Sequence, residues 1–183
     1  MKELSYKITF LSDWHCGSGL SGGAEADATV IKDDRSLPYI AGKTIKGLLK
    51  EALEDMAEVN QCTKDEINAI FGIEAYDKND KKAFFSNATL SKDEQKDITP
   101  ALSDFLYRNI ASTQIGQNGT AKENSLRVME VCIPITLEGI ISGIHTEEQI
   151  ELLKKALKWV RHLGVNRNRG LGRCKFEITS KSN

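Results

Sequence analysis

The 183-residue sequence lacks several features that would assign it to a familiar class. No apolar run approaches the ~18 residues of a membrane-spanning helix, so we expect no membrane partner. The amino-terminal residues have no apolar core of a secretory signal, which predicts a cytoplasmic protein. No paired acid–base constellation typical of a small-molecule enzyme is found either. The length fits one domain with a core of its own.

Cysteine is sparse, and its spacing excludes the common metal and redox motifs. The chain has four cysteines and no C-x-x-C pair. We therefore expect free, partly buried thiols in a reducing cytoplasm. A zinc site made of His15, Cys16 and Cys62 is an alternative, although the usual ligand spacing is missing.

Net charge is nearly absent, but the charges are unevenly distributed. The formal net charge is −1. Between Glu51 and Asp97 there are twelve acidic and six basic residues, whereas between Lys154 and Lys175 there are eight basic residues and none that is acidic. A polyanion responds to the local field rather than to the chain average, so this segment is a candidate nucleic-acid surface. A solvated helix face followed by a charged turn is the alternative.

Hydrophobic periodicity predicts an α+β domain. Thr63 and Glu66 form a capping-box pattern that predicts a short helix closed by Gly72. Thr146, with Gln149 three residues later, is the predicted N-cap of the last helix. A short strand over 28–32 and a partly helical segment over 91–109 are also expected. In order, the major elements are strand, helix, strand, strand, helix and strand, which is the ferredoxin-like (RRM-like) β-α-β-β-α-β arrangement. These elements are predicted over 4–10, 42–59, 83–90, 126–137, 146–163 and 174–178.

A long first loop, 12–27, follows the first predicted strand and is rich in glycine: Gly17, Gly19, Gly22 and Gly23. Glycine lets the backbone approach a ligand, and bare N–H groups can meet phosphate oxygens. The alternative is a flexible connection with a histidine stacked under a tryptophan.

The segment entering the first helix contains Gly42-Lys43-Thr44, like the end of a nucleotide-binding P-loop. The glycine that such a loop needs five residues earlier is Leu37, which excludes nucleotide hydrolysis. Lys43 and Lys46 at a helix N-terminus remain a candidate phosphate site, with a solvated first turn as the alternative.

A glycine/arginine-rich loop, 164–173, joins the last predicted helix to the last strand. It carries Arg167, Arg169 and Arg173. It is not a dinucleotide fingerprint, because it follows a helix and precedes a strand. Guanidinium groups bind phosphates bidentately and stack on bases, which favours RNA over a plain surface turn.

These three stretches, together with Thr113–Ala121, resemble the repeat-associated RNA-binding (RAMP) superfamily of CRISPR proteins. The likeness is to the backbone subunits of type III effector complexes. The segment Thr113-Gln114-Ile115-Gly116-Gln117-Asn118-Gly119-Thr120-Ala121 is similar to their protruding β-hairpin, the thumb. The resemblance implies one RAMP domain over 1–183, with the thumb at about 110–126 and the glycine/arginine-rich loop at 164–173.

The resemblance also implies partners and roles. The subunit would polymerise along a guide RNA and present it to a complementary single-stranded target RNA, alongside other complex subunits and copies of itself, in a prokaryotic cytoplasm. Asp27 would be catalytic, holding Mg²⁺ or Mn²⁺ for target cleavage. The implied RNA-binding residues are His15, Gly17, Ser18, Lys43, Lys46, Thr113, Ile115, Arg167, Arg169 and Arg173.

The sequence departs from the family pattern beside this aspartate. Where the family has Ile-Asp-Ser-Pro, this chain has Ala26-Asp27-Ala28-Thr29 and keeps only the acid. Two alternatives therefore stay open. One is a non-catalytic architectural subunit, and the other is a guide-processing endoribonuclease with His15 as general base.

Overall fold

The computed structural model describes residues 1–19, 26–72 and 82–179. Its helices are α1 (Gly42–Glu58), α2 (Lys64–Phe71), α3 (Lys92–Asp97), α4 (Pro100–Ser103) and α5 (Glu147–Trp159). Its strands are β1 (Lys2–Phe10), β2 (Phe84–Phe85), β3 (Tyr107–Ser112), β4 (Arg127–Cys132), β5 (Thr136–Ile144) and β6 (Cys174–Thr179). Among the helices within these ranges, none combines the length and apolar character that a membrane span requires.

The main sheet is antiparallel, with the strand order β2-β5-β1-β6. Strand β1 forms because alternate residues are apolar, and Leu4, Tyr6, Ile8 and Phe10 are all buried. Helix α1 connects β1 to the β2 edge, and α5 connects β5 to β6. The two helices contact each other through buried apolar faces. This confirms the predicted ferredoxin-like fold.

Strands β3 and β4 form a separate two-stranded sheet, which is the protruding hairpin. Tyr107 pairs with Cys132 at its base and Ser112 with Arg127 further out. A further pair, Ile115 with Ala121, closes the tip. The paired strands therefore extend beyond the 110–126 predicted for the thumb.

Capping signals were read correctly from the sequence. Thr63 and Thr146 both accept a hydrogen bond from the N3 backbone of the helix they open, and both form capping boxes. Gly72 closes α2 at a positive φ of 82°. These local rules set helix boundaries without help from the tertiary fold.

Three predicted boundaries are wrong. The single strand over 126–137 is interrupted at Pro134, which has no N–H to donate to a ladder, so β4 belongs to the hairpin and β5 to the main sheet. The strand over 83–90 contracts to β2, followed by the isolated pairs of Ala88 with Ile40 and Thr89 with Glu138. Helix α5 ends at Trp159, because Val160 is extended.

Candidate nucleic-acid interface

The first loop and the glycine/arginine-rich loop are joined through their backbones beyond the end of β1. The Val165 N–H donates to the His15 carbonyl at 3.0 Å, and the Gly172 N–H donates to the Asp13 carbonyl at 2.7 Å. Two stretches about 150 residues apart in sequence are thereby held as one surface. Gly22 and Gly23 of the predicted loop lie outside the described residues.

Two glycines of the second loop are required by this packing. Gly164 has φ of 95°, and a Cβ there would lie 2.4 Å from the His15 carbonyl oxygen. Gly172 has φ of 71°, and a Cβ there would lie 2.0 Å from the Leu163 carbonyl oxygen. Only glycine fits these backbone contacts. These two glycines therefore shape the loop, whatever ligand it binds.

The two loops and the start of α1 enclose a cavity of about 360 Å³, here called the loop cavity. Five of the predicted RNA-binding residues line it: His15, Gly17, Ser18, Lys43 and Arg167. They come from three segments that are distant in sequence. Lys46, also predicted, lies on the same helix and is not part of the lining.

His15 is 3% exposed, and its ring is oriented by the hairpin. Its Nδ1 lies 2.6 Å from the Glu130 carbonyl oxygen. Since a carbonyl only accepts, Nδ1 carries the proton, and in the neutral ring Nε2 is the acceptor. Nε2 lies towards Gly17, where a Cβ would be 3.0 Å away. His15 also lines the loop cavity, so a hydroxyl group bound there is a candidate hydrogen-bond donor to Nε2.

Glu130 connects the hairpin to the segment that follows the first loop. Its carboxylate accepts from the Val30 N–H at 2.9 Å and from the Lys32 ammonium at 2.7 Å. That ammonium also lies 3.8 Å from the centroid of the Tyr107 ring. No pattern in the sequence predicts this cluster, because about 100 residues separate Lys32 from Glu130.

A second unpredicted contact fixes the base of the hairpin. The buried Asp13 carboxylate accepts from Arg108 Nε at 2.7 Å and also from Arg108 Nη2. No periodicity or motif in the sequence connects these two residues. The pair holds β3 against the same loop that supplies His15.

Asp27 lies outside the loop cavity, beside the outer part of β4. Its backbone N–H donates to the Val128 carbonyl, and its carboxylate accepts from the Val128 N–H, both at 2.8 Å. The side chain is exposed. Among the residues that the structure describes, no three His, Cys, Asp or Glu side chains are grouped to hold a metal ion. A lone carboxylate fits Mg²⁺ or Mn²⁺ when RNA phosphates supply further oxygens.

The remaining predicted residues lie away from the loop cavity. Arg169 and Thr113 line a polar hollow of about 630 Å³ between the second loop and the hairpin. Ile115 is 60% exposed near the hairpin tip. Arg173 has an exposed side chain, while its backbone pairs with His162. The predicted arginines thus face different surfaces.

The buried cysteines are free thiols. Burial raises the pKa of the Cys16 thiol to about 12, with a smaller contribution from Cys174. Among the described residues, His15, Cys16 and Cys62 do not form a group that could hold a metal ion, so the alternative zinc site has no support in this geometry.

Comparisons with known proteins agree with the fold. No curated protein matches the sequence. A cryo-EM structure of the type III-B Cmr-beta bound to cognate target RNA contains a chain with a TM-score of 0.75 and 12% identity, covering 97% of each chain. A chain of the type III-B Cmr-beta in the apo state has a TM-score of 0.73 and 12% identity, and the match covers 98% of each chain. At 12% identity, this similarity is evidence for a shared fold and for nothing further. The model of the RAMP superfamily matches residues 7–175, and the chain therefore belongs to that superfamily.

Proposed function

We propose that the chain is a guide-RNA-binding backbone subunit of a type III CRISPR interference complex. The observation that carries the proposal is the loop cavity, where Lys43, Arg167 and His15 converge from three distant segments. The fold is shared with chains of the type III-B Cmr-beta, which one of the two structures shows bound to cognate target RNA, and this supports the proposal. The partners are guide RNA, target single-stranded RNA, other subunits and further copies of the chain, in a prokaryotic cytoplasm.

The cavity chemistry suits an RNA backbone. Lys43 supplies a compact cation and Arg167 a planar guanidinium fork, and both groups bind phosphate. His15 Nε2 accepts a hydrogen bond, which a ribose 2′-hydroxyl can donate. The exposed backbone of Gly17 allows close approach. Contacts of this kind read no sequence, as a subunit that holds any guide requires.

The sheet face is a poor alternative surface for RNA. Its partly exposed positions on β1 are Ser5, Lys7 and Thr9, and Lys7 pairs with Glu138 at 2.9 Å. RRM domains stack bases on aromatic side chains of their sheet. These polar positions on β1 offer no such platform. The exposed Phe84 lies on the two-residue edge strand β2, so RNA is assigned to the loops beyond the strand ends.

Target RNA cleavage at Asp27 is a second proposed activity. Its exposed carboxylate is fixed by Val128 beside the hairpin that would interrupt the guide–target duplex. Asp27 would hold Mg²⁺ or Mn²⁺ together with RNA phosphate oxygens, and a bound ion of this type stabilises negative charge developing at a phosphate. The non-catalytic architectural role and the His15-dependent endoribonuclease are the competing outcomes.

Purification of the protein from its host tests the proposed function. We expect short RNAs of uniform length to accompany the chain, protected from added nuclease and released by high salt. A protein that carries no RNA, and that also fails to bind single-stranded RNA added at low salt, would contradict the proposal.

A further inference from the structure

A smaller hollow of about 180 Å³ lies beside the loop cavity, between α1 and the end of α5. We propose that it binds one nucleobase of single-stranded RNA, stacked on Trp159. This inference rests on the proposed function, since it assigns a base-binding subsite next to the phosphate-binding cavity. The aromatic and charged side chains relevant to this inference line the hollow: Trp159, Arg161, Arg167, Glu51 and Asp55.

Trp159 is presented to solvent by the way α5 ends. It is the last residue of the helix, and Val160 turns away into extended conformation and is buried. The Cys174 N–H donates to the Arg161 carbonyl at 2.9 Å, which anchors the chain just after the turn. The Trp159 side chain is held at the rim with 44% of its surface exposed. An anchored, exposed indole is a stacking platform for a base.

The charges around the hollow favour a base over a phosphate. Glu51 and Asp55 lie one turn apart on α1 and line the hollow together with Arg161 and Arg167. Glu51 is already near Arg167, with 3.9 Å between the carboxylate oxygen and the guanidinium nitrogen. A phosphate would meet two carboxylates here. A base edge carries both donors and acceptors, and it therefore matches the acidic and the basic side chains together.

The hollow adjoins the loop cavity. Leu48, Glu51 and Arg167 line both. A strand whose phosphate contacts Lys43 and Arg167 therefore has its neighbouring base within reach of Trp159. Stacking tolerates every base, so this subsite would add affinity without restricting the guide sequence.

Tryptophan fluorescence of the full chain tests the stacking directly. The chain has two tryptophans, and Trp14 is buried and stacked on Phe10 at 4.4 Å between ring centroids. Oligoadenylate binding is expected to quench the emission of Trp159. An abasic ribose-phosphate oligomer of equal length should bind more weakly and quench little. If oligoadenylate binds while the emission stays unchanged, the stacking inference is overturned and RNA binding stands. Absence of any RNA binding overturns the proposed function as well.

Substitution gives an independent readout. Trp159→Ala should weaken oligoadenylate binding by about 5- to 100-fold, and Trp159→Phe should retain most of the affinity, because phenylalanine still stacks. Phe84→Ala is the matched control, since Phe84 is an exposed aromatic residue on β2 that lines neither the loop cavity nor the hollow beside it. Equal affinities of wild type and Trp159→Ala, both folded by circular dichroism, would overturn the inference.

Discussion

At the scale of residues, the groups proposed to bind RNA are held in place by groups that do not. His15 is oriented by the Glu130 carbonyl, and its loop is anchored through Asp13 to Arg108. Local sequence patterns do not predict such supporting contacts, because each contact joins residues about 100 positions apart. The candidates His15, Lys43 and Arg167 were found from local motifs, whereas their supports required the folded chain.

The Asp27→Asn variant distinguishes a subunit that cleaves target RNA from a non-catalytic architectural subunit. Asparagine keeps an oxygen that accepts from the Val128 N–H, so the fold and RNA binding should be retained. It loses the charge that a divalent ion needs, and target cleavage by the assembled complex with Mg²⁺ or Mn²⁺ should be abolished. Cleavage is measured on labelled target RNA.

Asp34→Asn is the control for this variant, since Asp34 is exposed nearby. Asp33 is a poorer control, because its carboxylate accepts from the Arg35 and Leu37 N–H groups and shapes a turn. Wild-type cutting by Asp27→Asn would contradict the catalytic role. Cutting that survives chelation would point to His15 instead.

The buried thiols predict a loss of stability in alkaline solution. Burial raises the pKa of Cys16 from 9.0 to about 12, and it likewise raises the pKa of Cys174 to about 12. At a pH between about 9 and 12, these two thiols are deprotonated in the unfolded chain but stay protonated in the folded chain. The free energy of unfolding therefore falls as the pH rises through this range. Urea unfolding at a series of pH values under reducing conditions measures this decrease.

The Cys16→Ala variant should show a shallower decline over the same pH range, whatever its stability at neutral pH. Cys62→Ala serves as the control, because Cys62 is only half-buried and burial raises its pKa by less. An identical pH dependence of wild type and Cys16→Ala would contradict the assignment to this thiol.

At the scale of elements, sequence rules succeeded where a boundary is local and failed where it depends on pairing. Capping boxes located the starts of α2 and α5. The alternation over 126–137 looked like one strand, but Pro134 divides it between two sheets. Pro134 is a local signal of this break, whereas the assignment of β4 to the hairpin and of β5 to the main sheet depends on pairing across the fold.

Helix α1 offers a matched pair of glycines. A Cβ on Gly42 would lie 2.0 Å from the Phe85 carbonyl oxygen, whereas a Cβ on Gly47 would meet nothing within 4 Å. Gly42→Ala should therefore destabilise the protein by about 1–3 kcal/mol, by pushing the helix start away from β2. Gly47→Ala should stabilise it by roughly 0.5–1 kcal/mol.

Chemical denaturation of the two variants measures both changes. Gly42→Ala should also weaken RNA binding, because the displaced helix start carries Lys43. Equal stability changes in the two variants would show that the start of α1 is not packed against β2 as described.

At the scale of the whole molecule, the proposed RNA binding depends on local rather than total charge. The chain is nearly neutral, with a formal net charge of −1. Folding places Lys43 and Arg167 at one cavity, while α3 carries other lysines elsewhere. The ferredoxin-like order of elements was readable from periodicity, and it explains how β1, α1 and the loop before β6 meet.

The central claim is that the loop cavity holds an RNA backbone, and the salt dependence of RNA affinity tests it most directly. Each phosphate contact on a single strand contributes about 0.7 to the slope of log affinity against log salt. For the Lys43→Ala/Arg167→Ala variant we predict a slope shallower by about 1.4, with weaker binding of every RNA sequence. The Lys92→Ala/Lys96→Ala control removes the same charge from α3 and should keep the wild-type slope. An unchanged slope in the cavity variant, or an equal decrease in both variants, would contradict the account.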